Sequence, residues 1–330
     1  MSQESYFHAA IAEEDARFEA PLRPQSLDEF AGQQTICERL SISMQAAKMR
    51  GEVLGHCLFS GPPGLGKTTL ATLIARTMGV NCVTTSGPIL DKPGDLAGVL
   101  TGLKKGDVLF IDEIHRLNRA LEEYLYSAME DFTLDLIIDS GANARSVQIK
   151  LQPFTLVGAT TRLGLLTAPL RSRFPMTYRL DYYDEETLSR VIGRSARLMK
   201  LTIDEEGLRE VAKRARGTPR IANNLLRWVR DFAQTRTIAH VTRSEASEAL
   251  NKLAIDERGL DESDLQLLRI LIDHHDGGPV GLGTLSVALG EDKQTIEEVY
   301  EPYLILQGLL RRTPRGREVT DLAYKHLERR

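Results

Sequence analysis

Eight consecutive residues restrict what this 330-residue chain can fold into more than any other feature. Gly61-Pro-Pro-Gly64-Leu-Gly66-Lys67-Thr68 fits G-x-x-x-x-G-K-[ST], and it sits between the apolar run His56–Ser60 and the helical pattern Thr69–Met78. The chemistry requires this strand–loop–helix placement. Gly61, Gly64 and Gly66 let backbone amides wrap closely around phosphate oxygens. The helix beyond adds the partial positive charge of its N-terminus. Lys67 then reaches the β- and γ-phosphates, and the Thr68 hydroxyl ligates Mg²⁺. A nucleoside triphosphate, ATP, and Mg²⁺ are the expected ligands.

Such a loop belongs on a buried parallel sheet, and the sequence supplies one. Short apolar runs at His56–Ser60, Asn81–Thr85, Val108–Ile111 and Phe154–Gly158 alternate with helical patterns such as Thr69–Met78 and Glu122–Met129. That alternation predicts an α/β domain with helices covering the strands. From Asp184 to about Leu253 the pattern becomes all-helical. Asp184 and Asp204 stand as helix caps, Gly217 as a stop, Thr218 with Pro219 as a start, and Thr242 with Glu245 as a capping box. From Leu260 on, helices over Asp264–His274, up to Leu289 and over about Asp292–Leu306 precede an Arg-rich turn at Arg311–Arg317. Three helices and a hairpin predict a winged helix. The expected divisions are a flexible tail 1–21, a large domain 22–182, a helical lid 183–254 and a winged-helix head 255–330.

Forty-two Lys and Arg against 46 Asp and Glu leave a net charge of −4. Nucleic-acid contact must therefore rest on a local basic patch. Cys37, Cys57 and Cys82 share no metal-type spacing, and their odd number fits a reducing, cytoplasmic setting. No apolar run approaches a membrane span, and the acidic start does not read as a signal peptide.

Val108-Leu-Phe-Ile-Asp112-Glu113 is an apolar strand ending in two carboxylates. Placed adjacent to the phosphate loop, it brings Asp112 to the metal shell and leaves Glu113 to polarise the attacking water as general base. His115 reads as a packing or hydrogen-bonding residue.

With both motifs placed, the chain resembles the AAA+ ATPases and, more closely, the RuvB family of bacterial Holliday-junction branch-migration motors. The likeness runs through LRPQSLDEFAGQ, GPPGLGKTTLA, TTSGP, DVLFIDEIHRL, AMEDF, FTLVGATTR, APLRSRF, ARGTPRIANNLLR, DHHDGGPVGL, EPYLILQGLL and RTPRGR. It implies a P-loop AAA+ parallel-sheet domain, a lid and a C-terminal winged helix, working as a homohexamer in DNA recombination and repair. It further implies that Thr161, beside Thr160, senses the γ-phosphate, that Arg173 rather than Arg171 is the arginine finger acting on the neighbouring subunit, and that Arg220 is a second sensor. Leu22, Arg23 and Tyr183 would enclose adenine and ribose, with core packing the rival reading of Tyr183. Thr69 and Glu130-Asp131-Phe132 would add nucleotide contacts. Asp135–Leu151 reads as a hairpin by pattern; in the family it meets RuvA, so Leu136, Ile137 and Ile138 are the candidate docking patch, with packing on the chain's own sheet the rival. RuvC is the implied resolvase of the same complex. Arg312, Arg315 and Arg317 would meet double-stranded DNA at its phosphates. Glu297, Glu298 and Glu301 on the third head helix argue against base reading. Two rivals stand beside this reading. A protein-remodelling ATPase would want an aromatic pore loop, of which Pro88–Lys104 holds no clear example; a DNA-binding loader or switch would share every motif.

Overall fold

The phosphate loop emerges from an interior strand of the sheet. The computed structural model describes residues 18–138 and 145–328, with side chains omitted at 136–138, 145 and 146. The first of two compact units holds residues up to Leu198 together with Thr218–Arg220. Its elements are α1 (Gln34–Arg50), β1 (Cys57–Ser60), α2 (Lys67–Met78), β2 (Cys82–Ser86), α3 (Pro93–Thr101), β3 (Val108–Asp112), α4 (Arg119–Glu130), β4 (Thr133–Ile138), β5 (Arg145–Lys150), β6 (Thr155–Thr160), α5 (Ala168–Ser172), β7 (Met176–Arg179) and α6 (Glu185–Leu198).

Five strands form one parallel sheet in the order β2-β3-β6-β1-β7. The strand bearing the acidic pair is therefore not adjacent to the phosphate-loop strand, contrary to the expectation above. Strand β6 lies between them, pairing Val157–Thr160 with Cys57–Ser60 on one side and Thr155–Gly158 with Val108–Ile111 on the other. All six residues of β6 are buried, and a strand apolar on both faces belongs in the centre of a parallel sheet. Its C-terminal threonines consequently emerge between the phosphate loop and the carboxylates. The edge strand β7 has no counterpart among the expected strands; of its four residues only Tyr178 is buried.

His56 fastens the sheet to α4. Its Nδ1 accepts from the Leu156 amide at 2.8 Å and its Nε2 faces the Met129 carbonyl at 3.0 Å. Burial lowers its pKa, so it serves as a neutral crossbrace. The expected hairpin forms, β4 against β5 in antiparallel register with Leu136 opposite Val147. Its turn, 139–144, lies outside the described residues, as do the side chains of Leu136, Ile137 and Ile138. Of the expected flexible tail, residues 1–17 also lie outside, while Ala20–Leu22 is a short 3₁₀ turn.

The second unit holds residues 199–217 and 221–330. Within it lie α7 (Glu205–Arg214), most of α8 (Pro219–Thr235), α9 (Arg243–Asn251), α10 (Glu262–His275), α11 (Leu282–Leu289), α12 (Lys293–Thr295), a π turn (Ile296–Tyr300), α13 (Glu301–Leu306), strands β8 (Leu310–Thr313) and β9 (Gly316–Val319), and α14 (Asp321–His326). The expected caps hold: Asp204 accepts from the Gly207 amide at 2.7 Å, and Thr242 with Glu245 closes a capping box. A winged-helix core forms around Leu267, Leu271, Ile296, Leu304 and Leu309, and Val280 joins the two-stranded β8–β9 wing by a single antiparallel bridge to Arg317. Gly316 is required there, because a Cβ at that position would stand 2.2 Å from the Val280 carbonyl oxygen.

Lid and head are stapled together by two arginines at the end of α7. Arg214, 2% exposed, donates to Glu210, Ser247, Asn251 and the Ile255 carbonyl. Arg216 reaches Asp264 at 2.5 Å, Asp261 at 2.9 Å and the Gly259 carbonyl at 2.7 Å, and lies over the Tyr303 ring. The segment expected to be a linker, Ile255–Gly259, is thus held on both sides.

Candidate active site

The loop glycines cannot be replaced without collision. Gly61, Gly64 and Gly66 all have positive φ, which side chains resist. A Cβ on Gly61 would stand 2.4 Å from the Leu180 carbonyl oxygen, and one on Gly64 would stand 2.7 Å from Thr218 Cγ2. Gly66 faces the Phe30 ring and is the residue before the first turn of α2. Lys67 is 7% exposed, and its Nζ donates to the Gly61 and Pro62 carbonyls at 2.8 Å each. Burial holds its pKa below the usual lysine range; Glu113 and Asp112 oppose that shift and Arg220 adds to it. Two cations beside a cradle of amides make a site with a large affinity for polyanions.

Across β6 the acidic pair closes the site. Asp112 ends β3, and its Oδ1 accepts from the Glu113 amide at 2.9 Å. Glu113 takes a left-handed backbone, φ 45° and ψ 47°, uncommon for a residue with a side chain. Its carbonyl is tolerated because Gly87 faces it; a Cβ on Gly87 would lie 2.4 Å from that oxygen. Glu113 Oε2 accepts from Thr161 Oγ1 at 3.2 Å and lies 3.1 Å from His115 Nδ1. The same imidazole nitrogen is 2.9 Å from Thr160 Oγ1. Thr161 and Glu113 are thus brought together, and His115 bridges the carboxylate to the buried Thr160.

No cluster of three His, Cys, Asp or Glu able to hold a metal occurs among the described residues. A cation here would rest on the Thr68 hydroxyl, Asp112 and phosphate oxygens. That hard-oxygen set suits Mg²⁺, which keeps most of its shell from water and phosphate.

Arg173 caps the end of α5 and is aimed by α4. Glu122 accepts from Thr167 Oγ1 at 2.5 Å, fixing the start of α5. One turn on, the Tyr126 ring underlies the Arg173 guanidinium at 4.4 Å, and one turn further Glu130 meets Nη2 at 3.0 Å. Arg173 Nη1 donates to the Pro169 carbonyl, while its Nε is buried without a hydrogen-bond partner. Arg173 therefore touches Glu130, and Arg171 is exposed.

Arg220 Nε lies 2.9 Å from Glu19 Oε1. Tyr183 is buried; its hydroxyl donates to the Leu65 carbonyl in the phosphate loop at 3.2 Å, and burial raises its pKa. Leu22 is buried as well, and the carbonyls of Leu22 and Arg23 are taken by Arg194. Sequence reading singled out neither Arg194 nor the Glu122–Tyr126 pair. Arg194 lies off the apolar stripe of α6, so periodicity gave it no weight.

In the head, the expectation that the wing arginines all project is corrected for Arg317. Its side chain is 13% exposed, with Nε 2.6 Å from Glu301 and Nη2 3.1 Å from Glu297. Arg312, half-exposed, shares Glu301 at 2.5 Å, and Arg315 is exposed in the turn. Glu301 is fully buried, so it does not face outward as read above. A carboxyl group at such depth requires polar or cationic partners, and the two wing arginines supply them.

Three family models cover the described fold in order: the Holliday junction DNA helicase RuvB P-loop domain over residues 22–180, the RuvB AAA lid domain over 183–256 and the RuvB C-terminal winged helix domain over 257–328. A Holliday junction branch migration complex subunit RuvB of Protochlamydia amoebophila is 60% identical, covering 98% of this chain and 97% of its own. Its counterpart in Chlamydia felis is 56% identical over 97% and 95%. The solved Thermotoga maritima RuvB, described as a Holliday junction branch migration motor, superposes with a TM-score of 0.86 at 52% identity, covering 93% of this chain and 98% of its own.

Proposed function

The chain belongs to the RuvB family of P-loop AAA+ ATPases, and from that premise we propose that it is the ATP-driven motor of Holliday-junction branch migration, working as a homohexamer that encircles double-stranded DNA in the cytoplasm. RuvA is its junction-binding partner through the β4–β5 hairpin, with Leu136, Ile137 and Ile138 in the docking patch; RuvC acts in the same complex. The observation that carries the reading is the convergence of a buried lysine, a glycine cradle and the Glu113–Thr161 pair on one sheet end.

Leu22, Arg23 and Tyr183 hold adenine and ribose. The amides of Gly61, Gly64 and Gly66 and the first turn of α2, Lys67 to Thr69, hold the phosphates. Bound Mg²⁺, on Thr68 and Asp112, supplies neutralisation of charge on the β- and γ-oxygens. Glu113 takes a proton from the attacking water, and Thr161, released from that carboxylate, senses the γ-phosphate. Lys67 stabilises the transferred group in cis; Arg173 reaches it from the next subunit, whose surface carries Glu130, Asp131 and Phe132. Arg220 gives up Glu19 for the γ-phosphate and reports its loss to the lid. Arg312 and Arg315 meet the DNA backbone, with Arg317 buttressing the wing.

The test is dissociation of a synthetic four-way junction by the purified protein with RuvA and ATP. Mixing Arg173→Ala subunits with Lys67→Ala subunits, each inactive alone, is expected to restore part of the ATPase, because some interfaces regain both groups. Mixed rings that assemble and stay inactive at every ratio would sink the shared site. ATPase stimulated by unfolded polypeptide and not by duplex would favour a remodelling enzyme; duplex binding without junction dissociation would favour a loader.

A further inference from the structure

The segment before the phosphate-loop domain is irregular, and something must hold it still. Between the 3₁₀ turn Ala20–Leu22 and α1 there is no helix or strand among residues 23–33. One guanidinium nevertheless grips three of its oxygens. Arg194 Nη1 donates to the Leu22 carbonyl at 2.7 Å, and Nη2 donates to the Arg23 carbonyl at 3.3 Å and to Glu29 Oε2 at 2.8 Å. The same Glu29 oxygen accepts from the Gln25 amide at 3.0 Å. That amide, with the nearby Arg194 charge, keeps the Glu29 carboxyl below its ordinary range. From the other side Arg76, on the phosphate-loop helix α2, donates to the Gln25 carbonyl at 3.1 Å.

We infer that Arg194 is a positioning residue for nucleotide base recognition, fixing the Leu22–Arg23 edge of the base pocket from the helix that follows Tyr183. The inference rests on the reading that Leu22, Arg23 and Tyr183 enclose adenine and ribose. Its physical content is preorganisation. A loop already ordered by its own side chains does not charge its ordering entropy to the ligand, and a planar fork can hold two carbonyls and a carboxylate where a point charge cannot. Arg194 touches neither phosphates nor reacting atoms, so its removal is expected to weaken the base and leave the triphosphate grip alone.

The experiment measures equilibrium binding of ATP and of inorganic tripolyphosphate, which lacks the base, to the full chain, with kcat at saturating ATP. Arg194→Ala is expected to weaken ATP about tenfold, the worth of one charge-assisted contact set. Tripolyphosphate affinity and kcat should stay within about twofold. Arg194→Lys should fall between. Unchanged ATP affinity, or a parallel loss for tripolyphosphate, would overturn the inference. Should Arg194→Ala melt well below the parent chain, Glu29→Gln keeps an acceptor but removes the charge from one of the three contacts; ATP weakened about twofold with tripolyphosphate unmoved supports the role, and equal effects on both refute it. A parent chain that holds tripolyphosphate as tightly as ATP would instead fail the base-pocket reading itself.

Discussion

Two guanidiniums, one in each unit of the chain, are treated in opposite ways. Arg214, between lid and head, spends its five N–H donors on five hydrogen bonds and is 2% exposed. Arg173, at the end of α5, is also largely covered, yet its Nε is buried and unsatisfied. A saturated arginine has nothing left to offer a newcomer and acts as structure. An arginine that keeps an orphan donor, at a cost of roughly 1–3 kcal/mol, and rests on a half-exposed carboxylate fits the trans role proposed above. Burial alone does not separate the two side chains; completeness of the hydrogen bonding does. The contrast is not absolute, because the Arg216 clamp carries an orphan of its own, the buried Oδ1 of Asp264.

The comparison can be broken at its largest effect first. Arg173→Ala is expected to lower ATP turnover of the DNA-bound assembly about 10³-fold or more while hardly moving the melting temperature. A large stability loss in calorimetry would make Arg173 structural after all. Arg214→Ala should do the reverse, costing about 3 kcal/mol in urea unfolding, because five hydrogen bonds are lost and the 5% exposed Glu210 keeps only Arg243, at 3.3 Å, as a cationic partner. Replacing Glu210 and Arg214 together by apolar residues of similar volume should recover most of that loss.

The orphan in the clamp gives a pH test. Burial pushes the Asp264 carboxyl up to about 6 from 3.8, with Arg216 opposing. The folded chain therefore keeps this proton to higher pH than the unfolded chain does. The favourable contribution is complete below 3.8 and drains away as pH rises to about 6. Between pH 5 and 7 the stability difference between the parent chain and Asp264→Asn should change by about 1 kcal/mol; a flat difference would mean that Arg216 holds the carboxylate charged throughout. The smallest effect belongs to Glu130→Gln, expected to change stability by no more than about 0.5 kcal/mol, since its pair with Arg173 is 55% exposed on the glutamate side.

Much of this was legible in the sequence, and the reasons differ by element. The phosphate loop is local chemistry, so its residues could be read in order. Three of the five sheet strands, β1, β3 and β6, are buried on both faces along nearly their whole length and announce themselves as apolar runs; β2, at the sheet edge with no buried residue, was still legible as a short run between helical patterns. The capping box at Thr242 and Glu245 and the hairpin turns are likewise short-range signals. The rest depends on who sits beside whom. That β6 intervenes between β1 and β3 is a pairing fact, which no run of apolar residues encodes. Edge strand β7 buries one residue of four, too little to register. Helix α1 lacks a start signal, because Gln33 precedes it in a left-handed conformation without a side-chain cap. Glu301, read as a solvent-facing acid, proved to be fully buried, since its partners lie eleven and sixteen positions away. Arg194 pairs across more than 160 residues, and only the tertiary fold reveals it.

The buried Glu301 has a consequence for how firmly the head can hold anything. Three of the four wing arginines already answer to carboxylates: Arg312 and Arg317 to Glu301, and Arg311 to Glu318. A duplex phosphate would find one guanidinium, Arg315, outside an ion pair, and would have to compete for the others. Each head would then displace on the order of one counterion, with affinity falling roughly tenfold per tenfold rise in salt. A contact that shallow would be quick to release, and on the function proposed above that would suit heads that let go of the helix as often as they seize it.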